Sequence, residues 1–183
     1  MSNNAMTPEF ELLASAAKFI KSEFEKDVFP WTGSPFEWAI KLPSASKGKL
    51  GKRLVYQWCA IKGLSIDSSP DSEADMLING HRVEIKFSTL WENGIYKFQQ
   101  IRDQNYEYAV CLGISPFDAH CWVVSKKILK QHVIGHLGQH TGSTGQETAW
   151  FAVNPQSPLD WLSPCGGTLE QAYKVLKSLS NKK

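Results

Sequence analysis

With 183 residues, 20 lysines and arginines against 18 aspartates and glutamates, and 42% hydrophobic residues, the chain has the size and composition of one domain with a real core. Those proportions exclude a disordered tail, a fibre and a membrane protein, and the longest apolar runs are far too short to cross a bilayer. A formal net charge of +2 does not by itself prove a nucleic-acid partner, so any basic patch must be local.

The opening MSNNAM reads as residues left by an expression vector, which leaves 7–183 as a single domain. No basic-then-apolar leader begins the chain, and Cys59, Cys111, Cys121 and Cys165 form no CxxC pair. The expectation is a cytoplasmic protein whose thiols are reduced and sit in core strands and helices. Residues 8–27 carry Leu13, Ala17, Ile20 and Phe24 at helical spacing, with Pro8 suited to the first turn. FPWTGSPFEW follows as a loop held down by its aromatic side chains. A second helix fits 46–62, with Leu50, Leu54, Val55, Trp58 and Cys59 as its buried stripe, Ser46 as cap and Gly63 as terminator. Lys47, Lys49, Lys52 and Arg53 crowd its first turns.

LSIDSSPDSEA then reads as a short strand and a turn-rich loop leading into a hairpin. Residues 96–105 predict a short helix, and 107–115 an almost continuous apolar strand buried on both faces. HCWVVS is a further strand and KKILKQHVI a helix; 135–147 reads as a flexible Gly/Thr/Ser/His loop. Trp150–Val153 adds a strand, and 169–179 a closing amphipathic helix. The seven tryptophans are scattered, and most are expected in the core. No repeat and no long linker is visible, so the chain reads as one mixed α/β domain.

The stretch DMLINGHRVEIK carries the chemistry. Asn79-Gly80 between alternating segments is a strong signal for a two-residue type I′ turn. That turn pairs Ile78 with His81, Leu77 with Arg82, Met76 with Val83 and Asp75 with Glu84. Alternation puts Asp75, Glu84 and Lys86 on one face, and Met76, Ile78, Val83, Ile85 and Phe87 on the core side. Directly opposed residues have Cβ atoms about 5 Å apart, where like charges destabilise. A cation must therefore sit between the carboxylates: either Lys86 alone, as in an ordinary solvated face, or a divalent metal.

Asp75 followed after a tight turn by Glu84-Ile85-Lys86 resembles the D…(D/E)xK signature of the PD-(D/E)XK nuclease superfamily, which includes many restriction endonucleases. The Lys47–Lys52 helix start ahead of it, Phe98–Arg102 behind it and a strand ending Gly113-Ile114-Ser115-Pro116 extend the likeness over residues 46–126. Ala74 stands where proline is common, and Lys52 where some relatives place a glutamate. The resemblance implies an α/β, restriction-endonuclease-like αβββαβ core, a mixed central sheet flanked by helices. It also implies a metal-dependent endonuclease acting on double-stranded DNA, as a homodimer. A resolvase, nickase or repair nuclease on the same core is the first alternative, and a DNA- or protein-binding module without turnover the second.

Phosphodiester hydrolysis needs an acidified water and stabilised phosphate charge, which a hard cation such as Mg²⁺, with Mn²⁺ as substitute, supplies. Asp75, Glu84 and the Ile85 carbonyl are the expected ligands. By resemblance, Lys86 orients the attacking water and offsets phosphate charge. Gln99 or Gln100 either approaches the site from the 96–105 helix or lies on its solvated surface. Lys47, Lys49, Lys52 and Arg53 either contact phosphates or form a solvated helix end. His140 and Thr141, in a segment rich in short donors, either touch DNA or belong to a connecting loop. His132, His136 and His140 recur every four residues, but Gly135 and Gly138 interrupt the helix that would align them as zinc ligands.

Overall fold

The computed structural model describes residues 7–24, 29–141 and 147–179. The chain divides into two units at Pro30 and Trp31. In the first, helix α1 (Pro8–Phe24) begins where expected, with Thr7 Oγ accepting from the Phe10 N–H at 3.3 Å. Leu13 of the predicted stripe is exposed, as are Phe10 and Leu12.

The second unit opens with α2 (Glu37–Ile40) and α3 (Ser44–Ile61). Pro43, not Ser46, occupies the N-cap of α3, and its fixed φ suits the entry to a helix. Gly63 follows the C-cap at φ +74°, a conformation that favours glycine. Strands β1 (Ile66–Ser68), β2 (Met76–Ile78), β3 (His81–Thr89) and β4 (Tyr96–Ile101) come next. They are followed by β5 (Tyr108–Ile114), β6 (Ala119–Ser125) and α4 (Lys126–His132), whose first turn is capped by Ser125. The chain continues through β7 (Gly138–Thr141), β8 (Glu147–Val153) and β9 (Gly166–Thr168), and α5 (Leu169–Ser178) closes with a Thr168/Gln171 capping box.

Six strands form a central sheet in the order β1-β2-β3-β5-β6-β9, and β4-β8-β7 form a second sheet. The β3/β5 pair is parallel and the remaining central pairs are antiparallel. This is a mixed α/β fold with a mostly antiparallel central sheet flanked by helices. One core lies between that sheet and α3 and α5, built on Val55, Cys59, Ile78, Val83, Ile85, Val110, Ala172 and Leu176. The other lies between it and the second sheet with α4, built on Tyr96, Phe98, Trp122, Leu129 and Phe151.

Several expectations are corrected. Residues 96–101 are strand β4, not helix. Tyr96 and Phe98 alternate inward onto Trp122 and Phe151, and that tertiary packing overrides the helical preference of Lys and Gln. A register shift between Phe98 and Ile101 then returns Ile101 to the core. The parallel β3/β5 connection therefore runs through the second sheet instead of a crossover helix. Part of the expected 135–147 loop is β7, paired with β8; residues 142–146 lie outside the described residues. Trp31 and Trp122 are buried, but Trp38 and Trp91 are exposed; Trp91 instead lies 4.1 Å from the Lys97 ammonium, a cation–π contact that needs no burial. All four cysteines are free and buried, as expected; burial pushes the Cys59 thiol up to about 12.

Candidate active site

Asn79 and Gly80 have φ of +52° and +77°, the pair of positive values a type I′ turn demands. The register is the predicted one for three pairs: Ile78↔His81, Leu77↔Arg82 and Met76↔Val83. There the ladder stops. The Asp75 N–H donates to the Val83 carbonyl at 2.9 Å, so Asp75 lies just ahead of β2 and is not in register opposite Glu84. The preceding loop is tethered by the Arg82–Asp71 ion pair and by the Asn105 N–H to Glu73 bond at 3.2 Å. The Arg82 guanidinium holds the Asp71 carboxyl below its ordinary value.

Because β2 is only three residues long and β3 nine, the edge of β3 beyond Val83 has no backbone partner from β2. The Asp75 side chain takes that place: its Oδ2 accepts the Ile85 N–H at 2.7 Å. In an extended strand the N–H and C=O of one residue point to the same edge, so the Ile85 carbonyl faces the Asp75 side as well. One residue either way, Glu84 and Lys86 project to the face that meets the second sheet. Their ladder partners Ala109 and Cys111 belong to the core between the two sheets.

Lys86 Nζ sits 2.7 Å from Glu84 Oε1 and donates to the Gln100 carbonyl at 2.7 Å. Both charged side chains are only 14% exposed. Burial pushes the Glu84 carboxyl above its ordinary value, against the pull of Lys86; the nearby Asp75 charge adds to the rise. Asp75, 10% exposed, makes an ion pair with Lys52 of α3. Each carboxylate thus has its own lysine, Lys86 beside Glu84 and Lys52 beside Asp75, where Lys86 alone or a metal was expected between them. Burial also raises the Tyr106 phenol, and the charge of Glu84 contributes.

Gln100 lies on β4 at φ +54°, at the register shift, and it is its backbone carbonyl that meets Lys86. A non-glycine residue at positive φ is uncommon and marks a locally constrained backbone. On α3, Lys49 and Arg53 are exposed and Lys47 is half-buried; Lys52 is the member of that basic run brought to Asp75. The backbones of His140 and Thr141 pair with β8 at the outer strand of the second sheet, and their side chains lie outside the described residues. His132 stacks on Trp161 with centroids 5.0 Å apart, a packing role. Among the described residues no group of three or more His, Cys, Asp or Glu side chains is placed to hold a metal ion. Two carboxylates and one carbonyl are the hard-oxygen donors here, a set that fits an open magnesium site filled out by water and not a closed all-protein cage.

The sequence pattern did not reveal the part played by Gly51. A Cβ there would stand 2.3 Å from Phe87 Cβ, so α3 lies directly against β3 only because residue 51 has no side chain. That contact places the next residue, Lys52, over the open edge. An interior helix glycine costs about 1 kcal/mol relative to alanine, and that cost was the available signal.

No protein-family model matches the chain, and neither does any curated protein. Among solved structures the chain is similar to that of a bacterial homing endonuclease, at 13% identity and a TM-score of 0.48, covering 74% of this chain and 92% of that one.

Proposed function

We propose that this protein is a metal-dependent DNA endonuclease of the PD-(D/E)XK type, with its site on Asp75, Glu84, Ile85 and Lys86. The observation that carries the reading is the meeting of two nearly buried carboxylates and a nearly buried lysine at the open edge of β3. Burying such charges is costly unless they serve each other or a ligand, and the Glu84 carboxyl, raised by burial in that setting, is the kind of group that clusters at functional sites. Mg²⁺, or Mn²⁺ in its place, would be held by Asp75, Glu84 and the Ile85 carbonyl, and would supply an acidified water and neutralise phosphate charge.

The protein's own groups do the rest. Asp75 is oriented by the Ile85 N–H, which leaves its second oxygen directed away from the strand. Lys86 is held by Glu84 and the Gln100 carbonyl, so its ammonium is pre-positioned to orient an attacking water and to offset charge on the phosphate. Exposed Lys49 and Arg53 supply backbone-phosphate contacts without sequence information. Double-stranded DNA as substrate and a homodimer as the working form belong to the same proposal, because two-fold symmetry suits cutting both strands.

One observation favours a second reading. The Lys52–Asp75 ion pair gives Asp75 a cationic partner without any metal, as a binding domain with a salt-bridged face would have. Cleavage of supercoiled plasmid and long linear DNA in Mg²⁺, Mn²⁺ or EDTA separates the two. Metal-dependent cutting that Asp75→Asn and Lys86→Ala abolish supports the nuclease. Duplex binding in EDTA with no cutting in either metal sinks it and leaves the binding domain.

A further inference from the structure

The two lysines at this site are not equivalent. Lys86 is 14% exposed and anchored at both Glu84 and the Gln100 carbonyl. Lys52 is 50% exposed, and among the described residues its one ion-pair partner is Asp75. Its place is nevertheless set by the fold, since the bare Gly51 backbone presses α3 onto Phe87 and brings residue 52 to the open edge of β3. Two carboxylates and two ammonium groups leave the cluster electrically balanced. A divalent cation entering that balance is repelled by whichever ammonium stays beside its ligand. Lys52 is the one whose head is already half in water, so it can leave at small cost.

We propose that Lys52 is a built-in competitor for Asp75, which a divalent cation must displace to bind. The inference rests on the metal-binding reading above and adds to it a competitor built into α3. Its ammonium compensates the nearly buried Asp75 charge. It also lowers the affinity of the site for metal, so occupancy becomes sensitive to divalent concentration.

The test is calorimetric titration of Mn²⁺, and of Ca²⁺ as a second probe, into the full chain without DNA. Lys52→Met keeps the aliphatic stem and removes the charge, and a thermal melt run alongside checks that the variant is folded before titration. Lys49→Met, on the exposed face of the same helix, controls for the loss of any lysine nearby. Lys52→Met is expected to bind about tenfold more tightly than the unmodified protein, and Lys49→Met less than about twofold differently, because screening weakens distant charges. Asp75→Asn in the Lys52→Met background is expected to lose the binding. Equal or weaker binding by Lys52→Met, with measurable binding by the unmodified protein, overturns the inference and leaves the metal site standing. No uptake by either protein overturns the metal-binding reading itself, and the inference with it.

Discussion

The two faces of β3 alternate residue by residue and sit in different surroundings. Val83 and Ile85 are sealed beneath α3 and α5 in an apolar core. Glu84 and Lys86, their immediate neighbours, are nearly as enclosed, but against polar partners. On the first face the order comes from close packing, to which many side chains contribute a little. On the second it comes from a few directional bonds: Asp75 to the Ile85 N–H, Lys86 to the Gln100 carbonyl and to Glu84, and Lys52 to Asp75. One face should therefore lose stability in proportion to the atoms removed. The other should lose chemistry with little change in fold.

The largest expected effect is on the polar face. Asp75→Asn retains an acceptor for the Ile85 N–H, and its DNA cleavage rate should fall by about a hundredfold or more while the melting temperature stays within a few degrees. A comparable loss of stability would break the distinction between the faces. Next, Ile85→Ala, which removes apolar atoms from a side chain 5% exposed, should cost about 3 kcal/mol in urea unfolding. The Ile85 N–H and carbonyl survive that change, so cleavage per folded molecule should hold; a drop there would show the two faces coupled.

Gly51→Ala sets helix propensity against a clash. The gain of about 1 kcal/mol from alanine is outweighed by overpacking against Phe87, for a net loss of about 1–2 kcal/mol in thermal unfolding. Combining it with Phe87→Ala should recover part of that loss, and the double-mutant cycle measures the contact. The smallest effect is in pH. The folded Glu84 carboxyl lies above its ordinary value of 4.5, so between that value and its raised one the folded state holds more proton than the unfolded chain. Its contribution to stability therefore declines as pH rises through that window and is constant above it. The difference in unfolding free energy between Glu84→Gln and the unmodified protein should shift in favour of the variant across the same window. A difference flat with pH would show that Lys86 fully offsets the burial.

The hairpin is legible in the sequence because its determinants are local. A type I′ turn requires two positive φ angles, Asn79-Gly80 adopt them readily, and strand alternation then decides which residues share a face. The same locality explains why β4 resembles a helix in the sequence. Tyr96-Lys97-Phe98 alternates as a strand does, but the shift at Gln99 and Gln100 breaks the period before Ile101, and a broken period over six residues looks no more like strand than helix. The end of the ladder at Met76 is likewise out of reach. Nothing in Asp75 itself says that its N–H turns to the Val83 carbonyl.

Residue order alone thus determined the turn, the apolar and polar faces of β3 and the buried β5, all consequences of periodicity and of backbone preference within a few residues, while the candidacy of Asp75, Glu84 and Lys86 came from their resemblance to a known nuclease signature. The tertiary structure alone decided that a second sheet, not a crossover helix, covers the polar face, that a carbonyl from β4 holds Lys86, and that Lys52 reaches Asp75 from α3. Those are contacts between segments that lie 14 and 23 residues apart in sequence, and only the packing of two cores against one sheet brings them together.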